Sequence, residues 1–140
     1  MKHKPLKSKS AKGKLVAEID HLFLRILKKE RGEKDEIDGR PANGLGMFHI
    51  LPKGRYPRLR WARQNVLLVN WFPYHFSYHH DNPGHPVYDF VVRRICELRG
   101  KDWRKGLLML EKQMPRQTMS WLRMFRTALR RELKERTDEK

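Results

Sequence analysis

Two apolar runs of strand length, MFHIL at Met47–Leu51 and NVLLVN at Asn65–Asn70, stand on either side of one compact loop, and this arrangement constrains the fold more than any other stretch. Runs of five or six residues rich in valine, leucine, isoleucine and phenylalanine suit strands rather than helices, and Pro52 breaks the first run. Two such runs joined by a single loop are placed to pair as a hairpin.

The flanking sequence has a helical period. From Lys14 to Arg31 the residues Leu15, Ile19, Leu22, Phe23, Ile26 and Leu27 recur on one face, and Gly32 is the expected stop. His21, beside that face, reads as structural. Residues 33–46 are polar and glycine-rich and predict a loop with room for a short hairpin. Three more helices follow: about Val87–Leu98, ended by Gly100; about Asp102–Gln113, with Asp102 as N-cap and Trp103, Leu107, Leu110 and Met114 in one stripe; and one after Pro115 to about Arg136. In the last, Trp121, Leu122, Phe125, Leu129 and Leu133 are expected inward, and Arg116, Arg123, Arg126, Arg130 and Arg131 outward. The prediction is a mostly helical α+β chain: a basic arm at 1–13, then one domain over 14–140 with a small hairpin core surrounded by helices.

Charge narrows the partners. Lysine and arginine number 32 against 16 acids, a formal charge of +16, which favours a polyanion such as nucleic acid. Residues 1–14 hold six lysines and no acid, a composition that cannot repay its ordering entropy alone. No Asp or Glu occurs from Gly39 to His80. Within that stretch Lys53, Arg55, Arg58, Arg60 and Arg63 alternate with Tyr56 and Trp61, a pattern suited to phosphate contact with base stacking or cation–π packing. A solvated charged loop is the plainer alternative. No apolar run approaches the roughly 20 residues of a membrane span, and the start has no apolar segment of the kind a secretory signal needs, so an intracellular protein without a membrane partner is expected. The lone cysteine, Cys96, excludes an internal disulfide and a cysteine-based zinc cage.

The order of residues on the hairpin carries chemistry. Phosphodiester hydrolysis needs a base for water, a group that orients that base and a cation for the developing charge. His49 at the end of the first run can be the base, and Asn65 at the start of the second can orient it or the scissile phosphate. His75 and His79 are four apart, can share a helix face, and with His80, Asp81 and His85 nearby are the candidate metal ligands.

HILP followed by NVLL reads like the core of the HNH nucleases, which belong to the ββα-metal, or His-Me finger, class. Over residues 14–136 the chain more closely resembles the phage NinG/Rap recombination endonucleases. That family has a leading helix, a Cys-x-x-Cys-Gly knuckle, a histidine flanked by Gly and an aromatic residue, a basic-aromatic segment ending in Asn-Val, and a second cysteine pair. Leu15, Ile19, Phe23 and Leu27, then Phe48-His49, Leu59-Arg60-Trp61 and Asn65-Val66, fall in the same order. Both cysteine pairs are missing: the first falls in Asp35–Asp38 before Gly39, the second on Asn70 and Pro73. Coordinated loss of a structural zinc fits that pattern, with Trp61, Trp71, Phe72 and Tyr74 expected to hold the fold by packing instead. The third HNH position falls on Tyr74, with His75 one place later, so either His75 takes the metal position or cleavage is weakened or lost.

The resemblance implies metal-dependent cleavage of branched or single-strand-containing DNA, with Mg²⁺ or Mn²⁺ and no structural zinc. His49 would be the base, Asn65 its orienter, His75 or His79 the metal ligand, and Lys53, Arg55, Tyr56, Arg58, Arg60, Trp61 and Arg63 the DNA grip. It also implies a phage or prophage protein in bacterial cytoplasm, with a homodimer suited to symmetric junctions. Two other readings stay open: a non-cleaving nucleic-acid binder on a decayed nuclease core, and an RNA-binding or ribosome-associated protein.

Overall fold

A computed structural model describes residues 10–42, 44–70 and 86–138. Their elements run α1 (Ala11–Arg31), β1 (Leu45–His49), two 3-10 turns (Pro57–Leu59 and Arg63–Asn65), β2 (Val66–Asn70), α2 (Pro86–Arg99), α3 (Trp103–Gln113) and α4 (Met119–Asp138). The chain is α+β and mostly helical, as the sequence predicts. Among the described residues no helix is long and apolar enough to cross a membrane.

Where the sequence reads as one domain after the arm, the chain contacts divide into two compact units, Met1–Ile26 with Gln117–Lys140, and Leu27–Arg116. In the first, α1 begins earlier than its apolar period suggests, because the Ser10 hydroxyl accepts the Gly13 amide at 3.1 Å and caps the helix one turn sooner. Leu15, Ile19, Leu22, Phe23 and Ile26 of α1 and Leu122, Leu129 and Leu133 of α4 are buried. Thr118 caps α4 by accepting the Trp121 amide at 3.1 Å. Trp121 and Phe125 stack with centroids 4.8 Å apart and stay half-buried. Arg126 and Arg130, expected outward, both donate to Glu18, the first at 3.1 Å. Burial raises the Glu18 carboxyl, but the bonds and charges of Arg130 and Arg126 outweigh it and leave the carboxyl below its ordinary range.

In the second unit β1 and β2 pair antiparallel, from Leu45 opposite Asn70 to His49 opposite Val66. This is the predicted hairpin, with β1 beginning and ending two residues earlier than the apolar run. Its Phe48, Leu67 and Val69 join Ile50, Leu51, Leu59, Val91, Ile95 and Leu107 in one core, so the hairpin packs with α2 and α3. The stripe of Trp103, Leu110 and Met114 lies against that core as the period predicts. Gly32 and Gly100, at φ +85° and +93°, end α1 and α2 with their amides on Lys28 and Cys96 carbonyls. Asp102 sits at the N-cap of α3, but its side chain makes no capping bond. His21 is exposed and Cys96 half-buried.

Candidate functional site

The loop from Ile50 to Asn65 has little regular structure, so its buried backbone groups need partners from elsewhere. One side chain supplies three. Asn65 is 0% exposed; its Oδ1 accepts the Leu51 amide at 2.8 Å, and its Nδ2 donates to the carbonyls of Leu51 at 3.0 Å and Leu59 at 3.2 Å. A carboxamide fits because it both donates and accepts, and the bond directions fix which end is oxygen. Two places expected of Asn65 were beside the base or on the scissile phosphate. Its amide is spent on the loop backbone inside the protein, so any effect on a reacting phosphate passes through the loop.

That loop positions His49. The half-buried imidazole ends β1, and its Nε2 lies 2.9 Å from the Arg60 carbonyl, one residue beyond the Leu59 carbonyl that Asn65 holds. A carbonyl only accepts, so Nε2 carries the hydrogen, and a neutral ring then has its lone pair on Nδ1. This tautomer is set by a backbone atom whose own position depends on Asn65.

The cations of the loop separate into two groups. Lys53 and Arg55 are exposed at its tip, where the Arg55 and Tyr56 amides turn back onto the Pro52 carbonyl. Arg58, Arg60 and Arg63 are half-buried, and Arg63 donates to Glu30 at 3.2 Å. The Arg55 guanidinium carbon lies 6.0 Å from the Tyr56 ring centroid and that of Arg60 lies 5.6 Å from Trp61. Cation–π packing is thus the use found for Trp61. At 5% exposure its ring belongs to the interior and offers no open face for base stacking.

Sequence reasoning missed the residues that hold the other side of the hairpin. Asp35, 1% exposed, accepts the Ile37 and Asp38 amides on Oδ1 at 2.7 and 3.2 Å and the Asn70 amide on Oδ2 at 2.6 Å. The Glu36 amide donates to the Leu68 carbonyl at 2.8 Å, and the Glu36 Oε2 accepts the Leu68 amide at 2.6 Å and Arg31 at 3.0 Å. Asp35 and Asn70 are the positions where the resemblance sets cysteines, and a carboxylate joins the two segments directly. Hydrogen bonds to Asp35 and Glu36 do the joining on this side of the hairpin, and of the aromatic residues expected to hold the fold by packing Trp61 is buried. Trp71, Phe72 and Tyr74 lie outside the described residues. An Asx turn before Gly39, whose φ is +77°, was the available signal.

Two arginines brace the start of β2. Arg31 donates to the Val66 and Arg63 carbonyls at 2.7 and 3.0 Å, and Arg99 to those of Gln64 and Val66 at 3.1 and 3.4 Å. Burial first, then the Arg31 charge, lowers the pKa of Arg99 from its ordinary value, and Glu36 opposes them. A guanidinium titrates so high that Arg99 stays a cation.

His75 and His79, the candidate metal ligands, also lie outside the described residues, and among the described residues no three His, Cys, Asp or Glu side chains cluster to hold a metal ion. No family model, curated protein or solved structure matches the chain.

Proposed function

We propose that the hairpin and its basic loop form a metal-dependent, HNH-like DNA endonuclease site, acting on branched or single-strand-containing DNA in the cytoplasm of a bacterium carrying a phage or prophage. One observation carries the reading: the loop carbonyl of Arg60 fixes the His49 ring with its lone pair on Nδ1, and the buried Asn65 amide holds the loop that presents that carbonyl. His49 then takes a proton from the attacking water. Lys53 and Arg55, exposed at the loop tip, bind the phosphates on either side, and Arg58 and Arg60 add charge behind them. A divalent cation, Mg²⁺ or Mn²⁺, when bound by His75 or His79, supplies Lewis-acid stabilisation of the charge that develops on the phosphoryl oxygens.

The test is nicking of a branched DNA substrate with and without divalent cation. Wild type is expected to cut, and His49→Ala to lose roughly a hundredfold or more in rate while still binding. Equal cutting by both proteins overturns the reading. A second reading, nucleic-acid binding without cleavage, is supported by one observation: Lys53 and Arg55 stand exposed on a turn closed by the Arg55 and Tyr56 amides on the Pro52 carbonyl, a bond set that does not include the histidine. It predicts strongly salt-dependent binding and no cleavage with any divalent ion.

A further inference from the structure

An open cleft of about 700 Å³ runs between the 3-10 turn at Gln64 and α3. Its floor is apolar, from Leu107 and Leu110, and Trp103 forms one wall. Its rim carries Arg99, Lys101, the Asp102 carboxylate and the amide side chains of Gln64 and Gln113. Gly106 also lines it, at a position where a Cβ would meet nothing within 4 Å.

That glycine has no internal explanation. After proline, glycine is the poorest residue for a helix, and it is tolerated where something must approach the backbone closely. Among the described residues nothing lies within 4 Å of the position a Cβ would take on Gly106, so the backbone there is open to a ligand. An aromatic wall and apolar floor suit a flat heterocycle, side-chain amides suit its polar edge, and two cations at the rim suit a phosphate. Gln64 is also the neighbour of Asn65, which places this cleft at the foot of the loop that carries the exposed cations.

We infer that the cleft between Gln64 and α3 receives one unpaired nucleotide of a DNA strand, with the base against Trp103 and the Gly106 backbone and its phosphate at Lys101, beside the charge of the backbone-bound Arg99. The inference rests on the proposed grip of DNA by the basic loop. It names the feature that grip selects, an unpaired base beside duplex, and its occupant is anionic, matching a rim where two cations outnumber the one carboxylate of Asp102.

Binding of the full chain to a short blunt duplex and to the same duplex carrying an unpaired tract tests it, by fluorescence anisotropy at one salt concentration. Wild type is expected to bind the second DNA roughly tenfold more tightly, the range of one stacked base. Gly106→Ala adds a carbon into open space and is expected to fold and keep the preference. Gly106→Leu fills the floor and is expected to reduce the preference to within about twofold while leaving blunt-duplex affinity unchanged. No preference in wild type, or a full preference in Gly106→Leu, overturns the inference. Loss of cleavage with the preference intact would remove the endonuclease reading and leave the cleft assignment standing; cleavage without the preference would do the reverse.

Discussion

The loop at 50–65 and the turn at 33–41 flank the same hairpin, and each is wound around one buried polar side chain. Asn65 faces two carbonyls and one amide, so it must donate and accept. Asp35 faces three amides and only accepts. The direction of the backbone groups therefore selects the side-chain chemistry. The choice has an electrostatic result: the loop is anchored by a neutral group and keeps its positive charge, while the anionic anchor stands on the β2 edge opposite β1. A polyanion approaching the loop meets Lys53 and Arg55 with no carboxylate in the loop to repel it.

Exchanging the two chemistries should break this pairing most severely. Asn65→Asp removes both donors and sets a carboxylate against two carbonyls; a loss of about 3 kcal/mol or more is expected in urea denaturation. A smaller loss, about 2 kcal/mol, is expected for Asp35→Asn, because an amide keeps one accepting oxygen but points a donor at a donor. If both variants melt as wild type does, the buried anchors do not organise these segments. Lys53→Ala and Arg55→Ala sharpen the comparison from the other side. Neither should shift stability by more than about 0.5 kcal/mol, while each should lower the slope of log affinity against log salt by about 1.

The smallest effect belongs to the helical unit, where the anchor is only half-buried. Glu18→Gln should cost less than about 1 kcal/mol at neutral pH, since solvent screens its bonds to Arg126 and Arg130. The Glu18 carboxyl is depressed in the folded protein, so its contribution is present above the ordinary glutamate range and disappears as pH falls through the folded value. Thermal melts of wild type and Glu18→Gln should therefore converge on acidification; a gap that widens instead would contradict this assignment.

Most of the secondary structure was legible because it depends on local pattern. The apolar period gave four helices within a few residues of their bounds, and two strand-length runs gave the hairpin. Asn65 was legible as important, but its work was not, since nothing local tells a buried amide from one reaching for phosphate. Asp35 and Glu36 looked like two charges in a polar loop. Their partners, Asn70 and Leu68, are more than thirty residues away, and only the tertiary fold brings them together. The same limit applies to Arg126 and Arg130, which a helical wheel turns outward and Glu18 retains. Asp102 is the opposite case, a residue of capping type at the capping position that forms no cap bond.

The outer edge of β2 has one further consequence. The Val66 carbonyl is taken by Arg31 and Arg99, both backbone groups of Leu68 by Glu36, and the Asn70 amide by Asp35. An edge whose hydrogen-bonding groups are already engaged cannot template another strand. From the Val66 carbonyl to the Asn70 amide, strand addition by a misfolded neighbour or a second copy would first have to displace these bonds, so the sheet is guarded there by its own arginines and carboxylates.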